Sequence, residues 1–264
     1  YQIVYGISEN FFNETQILFI QHVVFYILLN FAIYYFLDAL KINTLNCILF
    51  STVLTVSLSF NNLTHRVFGT LIFIIALIFL FKFLNTLNFV YLFFFEFMLV
   101  LNTYNLESYF IDFLALNLIF LIMKVNNKNE VYKFIFIYTL LSSALISAVH
   151  IFVNKDLLDL FKYTLIWHLR IPMSRSSDRI YEYITFNSSD VYAIIFIINI
   201  VIFIYIFIKK ESDIFYKIFF LIFISRFLQI IITGRSAYYG YLLIIPELLV
   251  ISYFINQKLS KSLV

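Results

Sequence analysis

The run Val191-Tyr192-Ala193-Ile194-Ile195-Phe196-Ile197-Ile198-Asn199-Ile200-Val201-Ile202-Phe203-Ile204-Tyr205-Ile206-Phe207-Ile208 decides the fold class. It carries no charge and lacks the polar–apolar alternation of a barrel strand, so it reads as a helix in hydrocarbon. A helix satisfies its own backbone hydrogen bonds, which lipid cannot do for it. Working outward from this run, eight more qualify as spans: 17–37, 45–60, 67–83, 88–102, 108–124, 132–153, 215–232 and 237–255. The expected architecture is an all-α, polytopic integral membrane bundle of about nine transmembrane helices in a single domain covering residues 1–264.

Composition points the same way. Of 264 residues, 63% are hydrophobic and 12% charged, where an ordinary soluble domain carries about 25% charged residues. With 4 Gly and 2 Pro, tight turns and Gly-rich phosphate loops are nearly excluded. The abundance of Phe, Ile and Tyr with little Ala or Gly is read as the imprint of an AT-rich genome. The single cysteine, Cys47, excludes a disulfide framework. His22, His150 and His168 stand singly, without the spacing of a metal site. No cofactor and no nucleic-acid partner are expected. The chain starts at Tyr1 without a basic segment and cleavage site, so it reads as a processed chain or a fragment rather than one with a signal peptide.

The joints between runs are short and polar, except residues 154–190. Within that stretch Leu157, Leu158, Leu160, Phe161, Leu165 and Trp167 recur near helical spacing, which predicts an amphipathic helix lying at the interface of an extracytoplasmic loop. With nine spans, one face receives ten of the twelve lysines: Lys41, Lys82, Lys124, Lys128, Lys133, Lys209, Lys210, Lys217, Lys258 and Lys261. That face is the cytoplasmic one, and it includes the C-terminal tail. Five of the six arginines fall on the other face, and Arg226 falls inside the eighth span. The positive-inside rule treats Lys and Arg alike, so topology alone does not sort them in this way.

Arginine grips phosphate or carboxylate with a planar fork, whereas lysine is a flexible point charge. An outward set of arginines therefore reads as an anion site. The densest constellation runs from Arg170 to Tyr183 and holds Arg170, Arg175, Asp178, Arg179, Tyr181 and Glu182. The alternative for this segment is a solvated loop whose charges pair with one another or with lipid headgroups. A second constellation, Gly234-Arg235-Ser236-Ala237-Tyr238-Tyr239, lies one to three helical turns from Arg226. An intramembrane arginine usually faces the bundle interior or a wet cavity, with snorkelling to the headgroups as the alternative. His65-Arg66 either completes the same pocket or anchors an interface. Glu96, Asp112 and Glu247 also fall within spans, as functional carboxylates or as protonated, hydrogen-bonded ones.

The succession of motifs resembles the bacterial O-antigen and exopolysaccharide polymerases of the Wzy/EpsG type. It is carried by Asn10-Phe11-Phe12-Asn13-Glu14-Thr15-Gln16, by Ser59-Phe60-Asn61-Asn62 followed by Arg66, by Ser176-Ser177-Asp178-Arg179-Ile180-Tyr181-Glu182, and by Arg235 followed by Tyr238-Tyr239 and Pro246. Where the family has a His-Ser pair near the end of the fourth span, this chain has Leu101-Asn102-Thr103-Tyr104. The resemblance implies a glycosyltransferase of the bacterial inner membrane that joins polyprenyl-pyrophosphate-linked repeat units on the outer leaflet, with membrane lipid and polysaccharide-export or chain-length proteins as partners. It implies that Arg66, Arg170, Arg175, Arg179, Arg226 and Arg235 bind the substrate, with Tyr181, Tyr238 and Tyr239 against the sugars. A carboxylate, Glu182 or Asp178, would take the proton of the acceptor hydroxyl. The guanidiniums flanking Asp178 favour its ionised form and weaken it as a base, which leaves Glu182 preferred.

Two other readings compete. Lys128-Asn129-Glu130-Val131-Tyr132-Lys133-Phe134, continuing into Tyr138-Thr139-Leu140-Leu141-Ser142-Ser143-Ala144, resembles the proton-translocating antiporter-like subunits of NADH dehydrogenase, which would place the chain in a mitochondrial inner membrane. Those subunits carry an in-membrane Pro-Phe-His segment that is not found here. A flippase or transporter of lipid-linked sugars would need charged residues at midplane, for which Glu96, Glu247 and Arg226 are the supply.

Overall fold

The computed structural model describes residues 14–59, 64–105, 190–209, 213–233 and 246–258. Among these residues there are seven α-helices and no strand: α1 (Glu14–Ala39), α2 (Thr44–Ser59), α3 (Thr64–Thr86), α4 (Phe89–Asn105), α5 (Asp190–Ile208), α6 (Ile214–Thr233) and α7 (246–258). Each falls on an apolar run of the sequence. The expected spans 108–124 and 132–153, and the 154–190 stretch with its amphipathic helix up to residue 189, lie outside the described residues. Two of the helices, over Phe19–Ala39 and Val67–Thr86, are long and apolar enough to cross a bilayer.

The chain divides into two compact units, Tyr1–Glu107 and Ser108–Val264. In the first, α3 packs against both α1 and α4, and α2 packs on α1. Along α1 one row, Phe25, Leu29, Ile33 and Leu37, is buried, while Phe19, Val23, Ile27, Phe31 and Tyr35 on the other side are exposed. Helix α1 is thus apolar on both faces, the pattern of a helix with no aqueous side. The buried side is filled by interlocking rings such as Phe36 against Phe81 and Phe25 against Phe68.

Tight joints do occur, contrary to the expectation from glycine content. Helix α1 ends with Lys41 in the left-handed region, at φ 60°. The Lys41 N–H donates to the Asp38 carbonyl at 2.8 Å and the Ile42 N–H to the Leu37 carbonyl at 3.2 Å, with Ile42 and Leu37 both buried. This is a Schellman cap built without glycine. Asn43 then caps α2, its Oδ1 accepting from the Asn46 N–H at 2.8 Å. The α3–α4 joint uses the simpler left-handed cap with a single bond: Leu87, at φ 54°, donates to the Phe83 carbonyl at 2.7 Å, and Asn88 Oδ1 accepts from the Val90 N–H at 2.9 Å. In both joints the next residues supply an asparagine cap, so the helix ends are satisfied without Gly or Pro.

In the second unit α5, α6 and α7 are held by aromatic contacts. Phe196 stacks on Phe223 with centroids 5.1 Å apart, and Phe203 meets Phe220 at 5.2 Å. Tyr253 of α7 lies 4.0 Å from Phe215 of α6, and Phe254 lies 5.7 Å from Tyr205 of α5.

Candidate functional site

Of the arginines expected to hold an anion, Arg66 lies in the first turn of α3 and Arg226 lies in α6, seven residues before its last residue, Thr233. A cation gains nothing from the dipole at a helix N-terminus, so the dipole does not account for Arg66 there. Arg170, Arg175, Asp178, Arg179, Tyr181, Glu182, Arg235, Tyr238 and Tyr239 lie outside the described residues, as does Asp112.

Two intramembrane carboxyls of the sequence reading are described, and both are buried: Glu96 of α4 is 0% exposed and Glu247 of α7 is 5% exposed. Glu247 follows Pro246 in the sequence, and both are helical. Together with Asn199 of α5, Pro246 and Glu247 line a pocket whose other walls, among the described residues, are apolar side chains of α5, α6 and α7, including Phe203, Phe219 and Phe223. Sequence reasoning did not single out Asn199. The signal was there: it is the one polar residue between Ala193 and Ile204.

A polar network ties α6 and α7 together, and it too went unread in the sequence. Asp213 precedes α6, and its Oδ1 caps the helix by accepting from the Phe215 N–H at 2.9 Å. Its Oδ2 accepts from the Tyr253 hydroxyl at 2.7 Å and from Gln257 Nε2 at 3.2 Å. Gln257 Oε1 in turn accepts from the Tyr216 hydroxyl at 3.0 Å. Alongside, Lys258 Nζ donates to the Tyr205 hydroxyl of α5 at 2.9 Å and lies 4.4 Å from that ring's centroid. The end of α5, the start of α6 and residues 253–258 of α7 therefore share one level of the second unit, the level that also carries Lys209 and Lys217.

In the first unit the polar side chains fasten helices to each other. Asn102, which stands where the resembling family has a His-Ser pair, is fully buried and donates from Nδ2 to the Gly69 carbonyl of α3 at 2.9 Å. Asn30 of α1 donates to Thr55 Oγ1 of α2 at 3.3 Å. Cys47 is buried, with its thiol against the Ile42 carbonyl at 3.3 Å, and His22 packs edge-on against Tyr26 at 4.5 Å. Compared with known proteins, the chain matches no family model, no curated protein and no solved structure.

Proposed function

We propose that this chain is a nine-span protein of the bacterial inner membrane that polymerises polysaccharide, joining polyprenyl-pyrophosphate-linked repeat units on the outer face. The observation that carries the reading is the sorting of cations, with lysines on one face and arginines on the other. The second unit is consistent with it. Lys209, Lys217 and Lys258 belong to the level that the Asp213 network draws together, while Arg226 lies thirteen residues further along, or about 20 Å at 1.5 Å per residue. The exposed apolar rows on α1 and α5, including Phe31, Ile194, Val201 and Phe207, suit a surround of lipid tails.

Under this reading the leaving pyrophosphate develops negative charge, which preorganised guanidiniums at Arg175, Arg179 and Arg235 stabilise. Glu182 accepts the proton of the attacking hydroxyl. The test is glycan chain length on a gel after complementing a polymerase-null strain. Arg179→Lys keeps the charge but loses the fork, and removal of one oxyanion donor typically costs on the order of 100-fold to 1,000-fold in rate. Arg179→Lys and Glu182→Gln should each collapse the ladder to short chains. Wild-type ladders from both variants would remove the loop from the mechanism.

The buried carboxyls favour a second reading, translocation of protons across the membrane, because an intramembrane carboxyl is the usual carrier. The two are separated by reconstitution into vesicles with a pH-sensitive dye: proton flux that is lost in Glu96→Gln or Glu247→Gln would favour transport over polymerisation.

A further inference from the structure

Asn199 stands in the middle of α5 and is 0% exposed. Its Nδ2 donates to the Ile195 carbonyl, one turn earlier, at 2.9 Å. Its Oδ1 is buried and meets no donor. A bare amide carbonyl inside a bundle of apolar helices is costlier than the leucine that would fit the same space, because neither lipid nor phenylalanine can hydrogen-bond it. Among the described residues the other walls of the pocket that Asn199 lines are aromatic and aliphatic, and Pro246 brings no N–H. Glu247 is the other polar wall, and it too presents oxygen. The space accepts one water-sized group and is too small for a sugar ring.

We propose that this pocket is a binding site for a single water-sized hydrogen-bond donor, held by Asn199 Oδ1 beside the Glu247 carboxyl. A water molecule and an ammonium ion share that chemistry. Both offer N–H or O–H groups to acceptors and fit where nothing larger does. The site stands independently of the polysaccharide reading, since it rests on the walls of the pocket alone.

Radiolytic hydroxyl-radical labelling of the purified full chain in detergent tests it, because radicals born from a bound water attack the side chains around it. Phe219, in the pocket wall, is 1% exposed, and so is Phe83 of the first unit, which serves as the dry control. Phe219 should be modified several times faster than Phe83, and Asn199→Leu should bring it down to the Phe83 rate. Asn199→Val repeats the comparison should the leucine variant aggregate, and the wild-type ratio is decisive in any case. Equal rates in the wild type, or an unchanged ratio in a folded variant, would overturn the site. Labelling in ammonium chloride against choline chloride at equal ionic strength then identifies the occupant. Protection by ammonium alone assigns the site to the cation and an unchanged rate assigns it to water, and either result upholds the donor site.

Discussion

The Asp213 carboxylate accepts three hydrogen bonds, from a backbone N–H, a phenol and an amide. Asp213→Ala removes a helix cap and leaves Tyr253 and Gln257 without their acceptor, a loss of about 2 kcal/mol. Tyr253→Phe, which removes one of the three bonds, should cost about 1 kcal/mol. Thermal denaturation in detergent checks the order, and an unchanged Tm for Asp213→Ala would mean that the network contributes nothing to stability. This network was not legible in the sequence, because its members lie some forty residues apart and no local pattern joins Asp213 to Gln257. Asn199 was legible in principle as the polar residue in an apolar run, whereas its neighbour in space, Glu247, drew notice only because it is charged.

Helices are the part of this chain that a sequence displays most openly. Between residues 14 and 105 the apolar runs and the observed helices coincide within a few residues, since nothing but hydrophobic length was needed to find them. The joints are short, as expected, but they are also tight, which the scarcity of glycine was read as nearly excluding. Lys41 and Leu87 occupy the left-handed region at a cost of roughly 1 kcal/mol each, held there by the cap bonds and, at Ile42, by burial. Lys41→Gly should therefore stabilise the protein slightly, by about 0.5 kcal/mol, and Leu87→Val should destabilise it by about 1 kcal/mol. A Leu87→Val protein that melts at the wild-type temperature would show that the turn relaxes when its residue is changed. The helix of 246–258 overlaps the span expected at 237–255, and its described part reaches three residues further, where Gln257 and Lys258 make polar contacts that a hydrophobicity criterion excludes.

At the scale of the whole molecule the proposed function requires one orientation of the chain in the membrane. The proposed reading, drawn from the cation sorting, has residues 154–190 outside and the tail with Lys258 and Lys261 inside. A cysteine at Ser188, in a background where Cys47→Ala has removed the native thiol, should react with an impermeant maleimide on intact cells. Reaction only after permeabilisation would invert the topology and move the arginine loop to the wrong side for a substrate on the outer leaflet. Most of the residues expected to form that site fall in the long polar loop and in the joint after α6, where function was inferred from charge type. Charge type carries no geometry, so the expectation of an anion site came with no indication of which arginines would meet.

A helix fastened at one end acts as a lever. With α6 tied to α7 through Asp213, a tilt of about 5° at that pivot swings the backbone at residue 226 by about 1.7 Å, given 1.5 Å per residue over thirteen residues. Displacements of about 1 Å are enough to change rates by two orders of magnitude where reacting groups must be aligned. Small play in the hydroxyl and amide contacts at the lysine-bearing end would thus be magnified at the level of Arg226.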